Sequence, residues 1–99
     1  MGRPVVLAGQ ARRDLEEIVR YIARDNPAAA EKCGRALHAQ AQSLGESPGL
    51  GPKVRGWEHI RALLCGAYYI VYRCHPDARR IEVLRFWHSA RDLTKVRLR

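Results

Sequence analysis

The stretch EVLRFWHSARD, residues 82–92, places a histidine and two arginines at the end of an apolar run. An imidazole can exchange a proton near neutral pH, and a guanidinium can hold an anion through paired hydrogen bonds. His88 could therefore act as a general base beside Arg85 and Arg91. The alternative is a structural role, with His88 hydrogen-bonded at the rim of a strand. The pattern favours that alternative, because a lone histidine beside apolar strand positions is weak evidence of catalysis.

Strand geometry bears on the same question. Side chains of a regular strand alternate between two faces, so we predict one face made of Glu82, Leu84, Phe86 and His88, and another made of Ile81, Val83, Arg85 and Trp87. We expect the helices to cover the face that carries Leu84 and Phe86. His88 and Arg85 could then meet in one cleft only if a bulge or the end of the strand intervened.

Positive charge is concentrated in the second half of the chain. Residues 1–50 carry seven Lys and Arg against six Asp and Glu, a net charge of +1, whereas residues 51–99 carry eleven against four, a net charge of +7. Clustered cations gain free energy by displacing the counterions of a polyanion. The second half is therefore expected to face a phosphate backbone or an acidic protein, although solubility alone is a plainer explanation.

Length and cysteine content exclude several classes of protein. A chain of 99 residues, of which 46% are hydrophobic, is expected to form one domain over residues 1–99. Its apolar runs are far shorter than the roughly 20 residues of a membrane span, and no signal peptide pattern opens it. Cys33, Cys65 and Cys74 match neither a disulfide framework nor a zinc-binding spacing. We expect a cytoplasmic protein without metal, cofactor or membrane contact.

The first half of the sequence is mainly helical. A short strand is predicted over residues 4–7, and from Ala11 an apolar stripe with helical period predicts a first helix. Asn26 is a suitable N-cap and Pro27 a suitable first residue for a second helix, which should extend to about Leu44. The side chains expected to be buried on the two helices are Ala11, Leu15, Ile18, Val19, Ile22, Ala30, Cys33, Leu37, Ala41 and Leu44.

In the second half the apolar period becomes two. The segments HIRALL, YYIVYR and ARRIEVLRFWH are separated by short turn sequences, so residues 57–88 are predicted to form a three-stranded antiparallel meander. A strand, two helices and a meander make an α+β domain in which the helix pair covers one face of a small, mainly antiparallel sheet. The first strand is expected to join that sheet.

Four segments in this order resemble the toxins of the RelE/ParE superfamily of type II toxin–antitoxin (plasmid stabilisation) systems. They are ARRDLEEIVRYIARDNPAAAEKC, SLGESPGLGPKV, IRALLCGAYYIVYR and IEVLRFWHSARD. The resemblance covers nearly the whole chain, and its specificity lies in the order and spacing of the segments. It implies a β-α-α-β-β-β fold, a cognate antitoxin, and one of two activities: ribosome-dependent mRNA cleavage, as in RelE, or inhibition of DNA gyrase, as in ParE.

The ribonuclease interpretation needs a base for the 2'-hydroxyl proton and cations for the charge on the phosphate. The residues that could supply them are His88, Arg61, Arg85 and Arg91, with Glu58 or His59 as a second titrating group. RelE-like ribonucleases often carry lysines and arginines on their central strands. This sequence has Ala62 and hydrophobic residues where a lysine pair would be expected, so the catalytic set is depleted.

The gyrase interpretation asks only for a binding surface, and we favour it because of that depletion. The candidate target-binding residues are Arg55, Arg73, Arg91, Lys95 and Arg97. Residues 93–99 form a basic C-terminal tail. The sequence is equally compatible with a flexible end and with a segment that binds the target. Arg99 belongs to the same tail.

A basic toxin needs an acidic, apolar-studded antitoxin segment that folds as it binds. The candidate anchors for that segment are Tyr21, Leu37, Trp57 and Trp87, with core packing as the favoured alternative for Leu37 and Trp87. The two helices around DNP could also be taken for a helix-turn-helix, but the outer face of the second is nearly neutral. Operator DNA is therefore expected to be bound only through the antitoxin.

Overall fold

The computed structural model describes residues 2–98, and it confirms the predicted order of elements. The elements are β1 (Val5–Leu7), α1 (Gly9–Ala23), α2 (Pro27–Ser43), β2 (Ile60–Cys65), β3 (Tyr68–Arg73), β4 (Ile81–His88) and a single 3₁₀ turn at Leu93–Lys95. The strands form one sheet in the order β1-β4-β3-β2, in which β1 runs parallel to β4 and the other pairs are antiparallel. The α+β architecture is thus the predicted one.

Local sequence explains where the elements begin and turn. Asn26 caps α2 as predicted, since its Oδ1 accepts a hydrogen bond from the amide of Ala29 at 3.0 Å, and Pro27 occupies the first turn. α1 begins at Gly9, two residues before the predicted start. Gly66 joins β2 to β3 in a tight turn with φ of +61°, a conformation that glycine adopts without steric cost.

The sheet separates two apolar clusters. The helix-side cluster joins α1 and α2 to the sheet through buried residues that include Ala11, Leu37, Ala41, Ile70 and Tyr72. The open-face cluster lies on the other side of the sheet, where the loop before β2 and the C-terminal segment supply the cover. Its members include Val54, Ala62, Val71, Leu84, Trp87 and Val96. Both faces are therefore buried, although helices cover only one.

The predicted division of β4 into two faces is wrong beyond Val83. Tyr72 pairs with Val83 and Val71 pairs with Arg85, so Leu84 is an extra residue in a β-bulge. The bulge reverses the alternation: Phe86 packs in the helix-side cluster with Ile81 and Val83, whereas Leu84 and Trp87 pack in the open-face cluster. Leu84 therefore does not share a face with Phe86.

The helices are short compared with a lipid bilayer. Within residues 2–98, neither the 15-residue α1 nor the 17-residue α2 is long and apolar enough to span a membrane.

Candidate functional site

A buried ion pair joins α1 to the bulged part of β4. Asp14 is only 6% exposed, and its Oδ2 accepts hydrogen bonds from Arg85 Nε at 2.7 Å and from the amide of Phe86 at 3.1 Å. Its Oδ1 accepts from Arg85 Nη2 at 3.1 Å and from Gln10 Nε2 at 2.9 Å. The carboxylate is thus fully hydrogen-bonded, and Arg85 is held by a charge partner inside the protein.

The shortness of β1 explains why this carboxylate is needed. The last bond between β1 and β4 runs from the amide of Ala8 to the carbonyl of Val83, so β1 leaves the amide of Phe86 without a strand partner. A buried amide without a partner is costly, and Asp14 supplies the missing acceptor. Sequence reasoning missed Asp14, although it lies three residues after Ala11 and four before Ile18, inside the apolar stripe. A carboxylate in such a stripe signals a buried cation.

Trp87 lies between two guanidinium groups on the open face. The guanidinium carbon of Arg91 is 3.7 Å from the centroid of the indole ring, and that of Arg85 is 5.2 Å from it. Both distances fall within the range of cation–π attraction. Because Trp87 is only 3% exposed, it belongs to the core and carries two positive charges on its flanks.

The C-terminal segment is packed against this tryptophan. Val96 is buried in the open-face cluster, and Arg85 Nη1 donates a hydrogen bond to the carbonyl of Arg97 at 3.0 Å. Asp92 begins the 3₁₀ turn by accepting hydrogen bonds from the hydroxyl and amide of Thr94, which lower the pKa of Asp92. That stabilisation is complete at neutral pH and is lost on acidification. Arg99, also assigned to the tail, lies outside the described residues.

His88 lies at the rim of the helix side. Its side chain is exposed, its Nδ1 accepts a hydrogen bond from the amide of Ala90 at 3.0 Å, and its ring meets Tyr68 edge-on with centroids 5.0 Å apart. An accepting Nδ1 leaves the ring proton on Nε2 in the neutral form. The ring therefore has structural contacts of the kind expected for a rim residue.

The four residues predicted for catalysis do not all converge, since only His88 and Arg91 among them line the same groove beside α1. Arg61 aligns through Tyr72 with Val83, five residues before His88, so it lies roughly 15 Å away along the strands. Its Nη1 donates to the carbonyl of Gly51 at 2.7 Å. Arg85 is paired with Asp14 and Arg91 is stacked on Trp87. No place in the described structure presents His88 together with all three arginines.

The residues predicted for target binding form two groups. Arg91, Lys95 and Arg97 are exposed around Trp87 and the C-terminal segment; we call these three side chains the tail surface. Arg55 is exposed in the loop before β2, near the opposite end of the sheet, and Arg73 pairs with Glu82 at 3.0 Å. The tail surface is therefore the densest exposed part of the predicted set.

The predicted antitoxin anchors differ in exposure. Tyr21 is 69% exposed, whereas Leu37 is 1% exposed and Trp87 is buried, so those two offer no surface in this structure. Trp57 is half-buried against the open-face cluster. Core packing, the favoured alternative for Leu37 and Trp87, is what the structure shows.

Tyr21 borders a groove between α1 and the ends of β3 and β4. This α1 groove has a volume of about 530 Å³ and is lined by Glu17, Ile18, Tyr21, Tyr68, His88 and Arg91, among others. A neighbouring apolar pocket toward α2 shares Tyr68 with the groove and includes Cys33 and Cys65. Burial raises the pKa of Cys33, with a contribution from Cys65, and burial also raises the pKa of Tyr68. Both groups are therefore neutral at pH 7, and the groove combines an apolar floor with a charged rim.

No group of three His, Cys, Asp or Glu side chains within residues 2–98 is arranged to hold a metal ion. The three cysteines are free thiols and half-buried.

Comparison with known proteins places the chain in a family. A profile described as ParE toxin of type II toxin–antitoxin system, parDE, matches residues 5–93. Toxin RelE1 and Toxin RelE3 of Caulobacter vibrioides are each 30% identical to the chain, over 87 and 91 residues. These alignments cover 86% and 88% of this chain and 91% and 95% of the two relatives.

Two solved structures share the fold. The chromosomal ParDE system of P. aeruginosa includes a chain that matches with a TM-score of 0.74 at 17% identity, covering 87% of this chain and 95% of that one. The RelBE2 toxin–antitoxin complex of Mycobacterium tuberculosis gives a TM-score of 0.66 at 23% identity, covering 89% and 99%. Because the family profile spans most of the sequence, the chain belongs to the ParE toxin family of type II toxin–antitoxin systems, within the RelE/ParE superfamily.

Proposed function

We propose that this toxin stops growth by binding DNA gyrase, without cutting RNA, until a cognate antitoxin covers it. The observation that carries the proposal is the dispersal of the predicted catalytic residues. Arg85 forms an ion pair with Asp14 inside the protein, and Arg61 lies at the other end of the sheet from His88. A binding toxin needs an exposed surface, and the tail surface offers three cations beside a rigid core tryptophan.

Ribosome-dependent mRNA cleavage is the alternative function. The RelE names of the two Caulobacter relatives favour it, since each covers most of this chain at 30% identity. It would require Arg91 to leave Trp87 and act as the cation beside His88, because Arg61 lies at the other end of the sheet.

The gyrase proposal predicts that the charges of the tail surface are essential. In a supercoiling assay with purified gyrase, we expect the unaltered toxin to inhibit and the double variant Lys95→Gln/Arg97→Gln to lose at least about tenfold in potency, because two cationic contacts are removed. Charge substitution is preferable to deleting the tail, since deletion would also remove the buried Val96.

Two controls sharpen this assay. Arg79→Gln/Arg80→Gln removes the same charge from exposed positions in the loop before β4 and should retain inhibition. His88→Ala should also retain inhibition per folded molecule while lowering the melting temperature, because its contacts are structural. If Lys95→Gln/Arg97→Gln inhibits gyrase as strongly as the unaltered toxin, the tail surface does not bind gyrase.

We also propose that the α1 groove receives the antitoxin. An amphipathic segment with acidic side chains would match its apolar floor and the nearby Arg91. The solved relatives of this fold are toxin–antitoxin assemblies, which supports such a partner. Operator DNA would then be bound through the antitoxin.

Tyr21 provides the test of this groove. Tyr21→Ala is expected to weaken antitoxin binding at least about tenfold, because exposed aromatic residues are frequent energetic anchors of interfaces. Its melting temperature should stay near that of the unaltered toxin, because the side chain is mostly in solvent. Leu50→Ala, at another exposed apolar residue in the loop before β2, is the matched control for calorimetric titration. Equal affinities for both variants would place the antitoxin elsewhere.

A further inference from the structure

Two cysteines line an apolar pocket between α2 and the end of β2. The pocket has a volume of about 440 Å³ and includes Cys33 of α2 and Cys65, the last residue of β2. Both side chains pack against the helix-side cluster, so each points into the space between the helices and the sheet. We call Cys33 and Cys65 the thiol pair. The proposed binding of gyrase through the tail surface does not use it.

Cys65 reaches the backbone of α2 close to Cys33. Its Sγ lies 4.0 Å from the carbonyl oxygen of Ala36, which follows Cys33 by less than one helical turn. Part of the rise in the pKa of Cys33 comes from Cys65, as expected for two thiols in one pocket. Gly66, directly after Cys65, has only open space where a side chain would stand. The two cysteine side chains therefore have room to approach each other, as a disulfide with its Cβ atoms about 4 Å apart requires.

The third cysteine lies too far away to take part. Tyr68, which pairs with Cys65 across the two strands, begins β3, whereas Cys74 directly follows the last residue of β3. At about 3.3 Å for each residue of a strand, Cys74 lies roughly 20 Å from Cys65. Its Sγ accepts a hydrogen bond from Arg3 Nη1 at 3.7 Å instead. Cys33 and Cys65 are therefore the two cysteines that the fold brings together.

α2 is fastened to α1 more closely than to the edge of the sheet. A Cβ at Gly34 would lie only 3.0 Å from Cγ2 of Val19, so the two helices are in close contact there. By contrast, α2 contacts the edge strand β2 at few positions. A bond between Cys33 and Cys65 would tie α2 directly to that edge and close a chain loop over residues 33–65. Closing such a loop stabilises a fold chiefly by restricting the unfolded chain.

We propose that Cys33 and Cys65 form a reversible disulfide when the toxin meets a small disulfide oxidant such as glutathione disulfide. The Cys65 thiolate attacks one sulfur of the oxidant, which forms a mixed disulfide and releases one glutathione thiolate. The Cys33 thiolate then attacks the sulfur of Cys65 and releases the second glutathione. The two cysteines lose two protons and two electrons in all, and the oxidant is reduced to two molecules of glutathione. This modification does not depend on the target of the toxin.

The order of the two steps follows from the surroundings of the thiols. The residues directly after Cys65, Gly66 and Ala67, are exposed, whereas the thiol of Cys33 is desolvated. A raised pKa leaves little thiolate at Cys33 at pH 7, so its attack on the mixed disulfide is slow there and becomes faster as the pH rises toward that pKa. Slow, reversible formation is the behaviour of a redox-sensing disulfide in a reducing compartment.

The test is peptide mapping by mass spectrometry of the full-length toxin after incubation with glutathione disulfide under native conditions and alkylation of the remaining thiols. Trypsin cuts after lysine and arginine, so it places the three cysteines on separate peptides. The Cys33 and Cys65 peptides should be joined, and faster at about pH 9 than at about pH 7. Cys33→Ser should stop at the mixed disulfide of glutathione with Cys65. Cys74→Ser is the matched control and should form the bond at the unaltered rate.

Thermal unfolding gives a second readout. Oxidised Cys74→Ser should melt at least about 5 °C above the same variant after reduction with dithiothreitol, whereas Cys33→Ser treated in the same way should show no such rise. The proposal is overturned if the linked peptides are missing, if they appear only after unfolding in urea, or if they contain Cys74 as often as the thiol pair. An oxidised protein that melts below the reduced one would also overturn it, because the bond would then strain the native fold.

Discussion

Asp14→Ala is expected to lower the free energy of unfolding by about 3–5 kcal/mol, because it leaves a buried charge without its partner. Arg85 would lose both hydrogen bonds to the carboxylate, and the amide of Phe86 would lose the acceptor that Asp14 provides. A domain of this size is commonly stable by only about 5–15 kcal/mol. The variant should therefore unfold at much lower urea concentration, as followed by far-ultraviolet circular dichroism.

Glu82→Ala is the matched control for this prediction. It also removes a carboxylate that pairs with an arginine on the sheet, but the Arg73–Glu82 pair is much more exposed than the Asp14–Arg85 pair. Exposed ion pairs contribute about 0–1 kcal/mol, so the control should lose little stability. The double variant Asp14→Ala/Arg85→Met should recover part of the loss, because no unpaired charge remains. Similar losses for Asp14→Ala and Glu82→Ala would show that the pair does not fasten α1 to β4.

Trp87→Ala is expected to cost about 3–5 kcal/mol, the usual range for removing a buried large aromatic side chain. The substitution would also remove the ring on which Arg91 stacks and part of the surface that buries Val96. Release of the C-terminal segment should follow, and limited proteolysis should then cut within residues 93–98 sooner than in the unaltered toxin.

Trp87→Phe separates packing from partner binding. The indole Nε1 has no hydrogen-bond partner among residues 2–98, so a phenyl ring should keep much of the packing and cost less than Trp87→Ala. Antitoxin affinity should be unchanged if Trp87 is a core residue. A large loss of affinity in a stable Trp87→Phe protein would show that Trp87 is an antitoxin anchor after all.

The Asp14–Arg85 pair links the core to the proposed target surface. Arg85 contacts Asp14, flanks Trp87 and donates to the carbonyl of Arg97. One partly buried guanidinium thus contacts α1, β4 and the C-terminal segment. In the sequence, Arg85 looked like a catalytic residue because it is a charged residue in an apolar strand. In the structure, its contacts with Asp14, Trp87 and Arg97 are structural.

Local periodicity was sufficient to predict the elements and their order. The stripe from Ala11 predicted α1, and Asn26 with Pro27 predicted the start of α2, because these signals depend on residues close in sequence. The bulge at Leu84 could not be predicted in this way. It depends on a strand that ends early and on a carboxylate 71 residues away from Arg85. Without the bulge, the faces of β4 were assigned incorrectly beyond Val83.

The candidate sites were predictable only as residue types. The excess of cations after residue 50 was visible, but not its division between the tail surface and the loop before β2, where Lys53, Arg55 and Arg61 lie. Lys53 and Arg61 meet because the chain crosses closely over β2 at Gly51, a three-dimensional contact with no periodic signal. Tyr21 and Leu37 were both apolar candidates on helices, and only packing against the sheet separates the exposed one from the buried one.

Pulse labelling of DNA and protein synthesis distinguishes gyrase from the ribosome as the target of the toxin. The toxin is expressed from a tightly controlled promoter, and both syntheses are followed over the first minutes after induction. If the toxin inhibits gyrase, DNA synthesis should fail first, with an SOS response and filamentation, and Lys95→Gln/Arg97→Gln should prevent the failure. Loss of protein synthesis first, with mRNA cut only where ribosomes are present, would contradict gyrase inhibition and assign chemistry to His88 and its arginines.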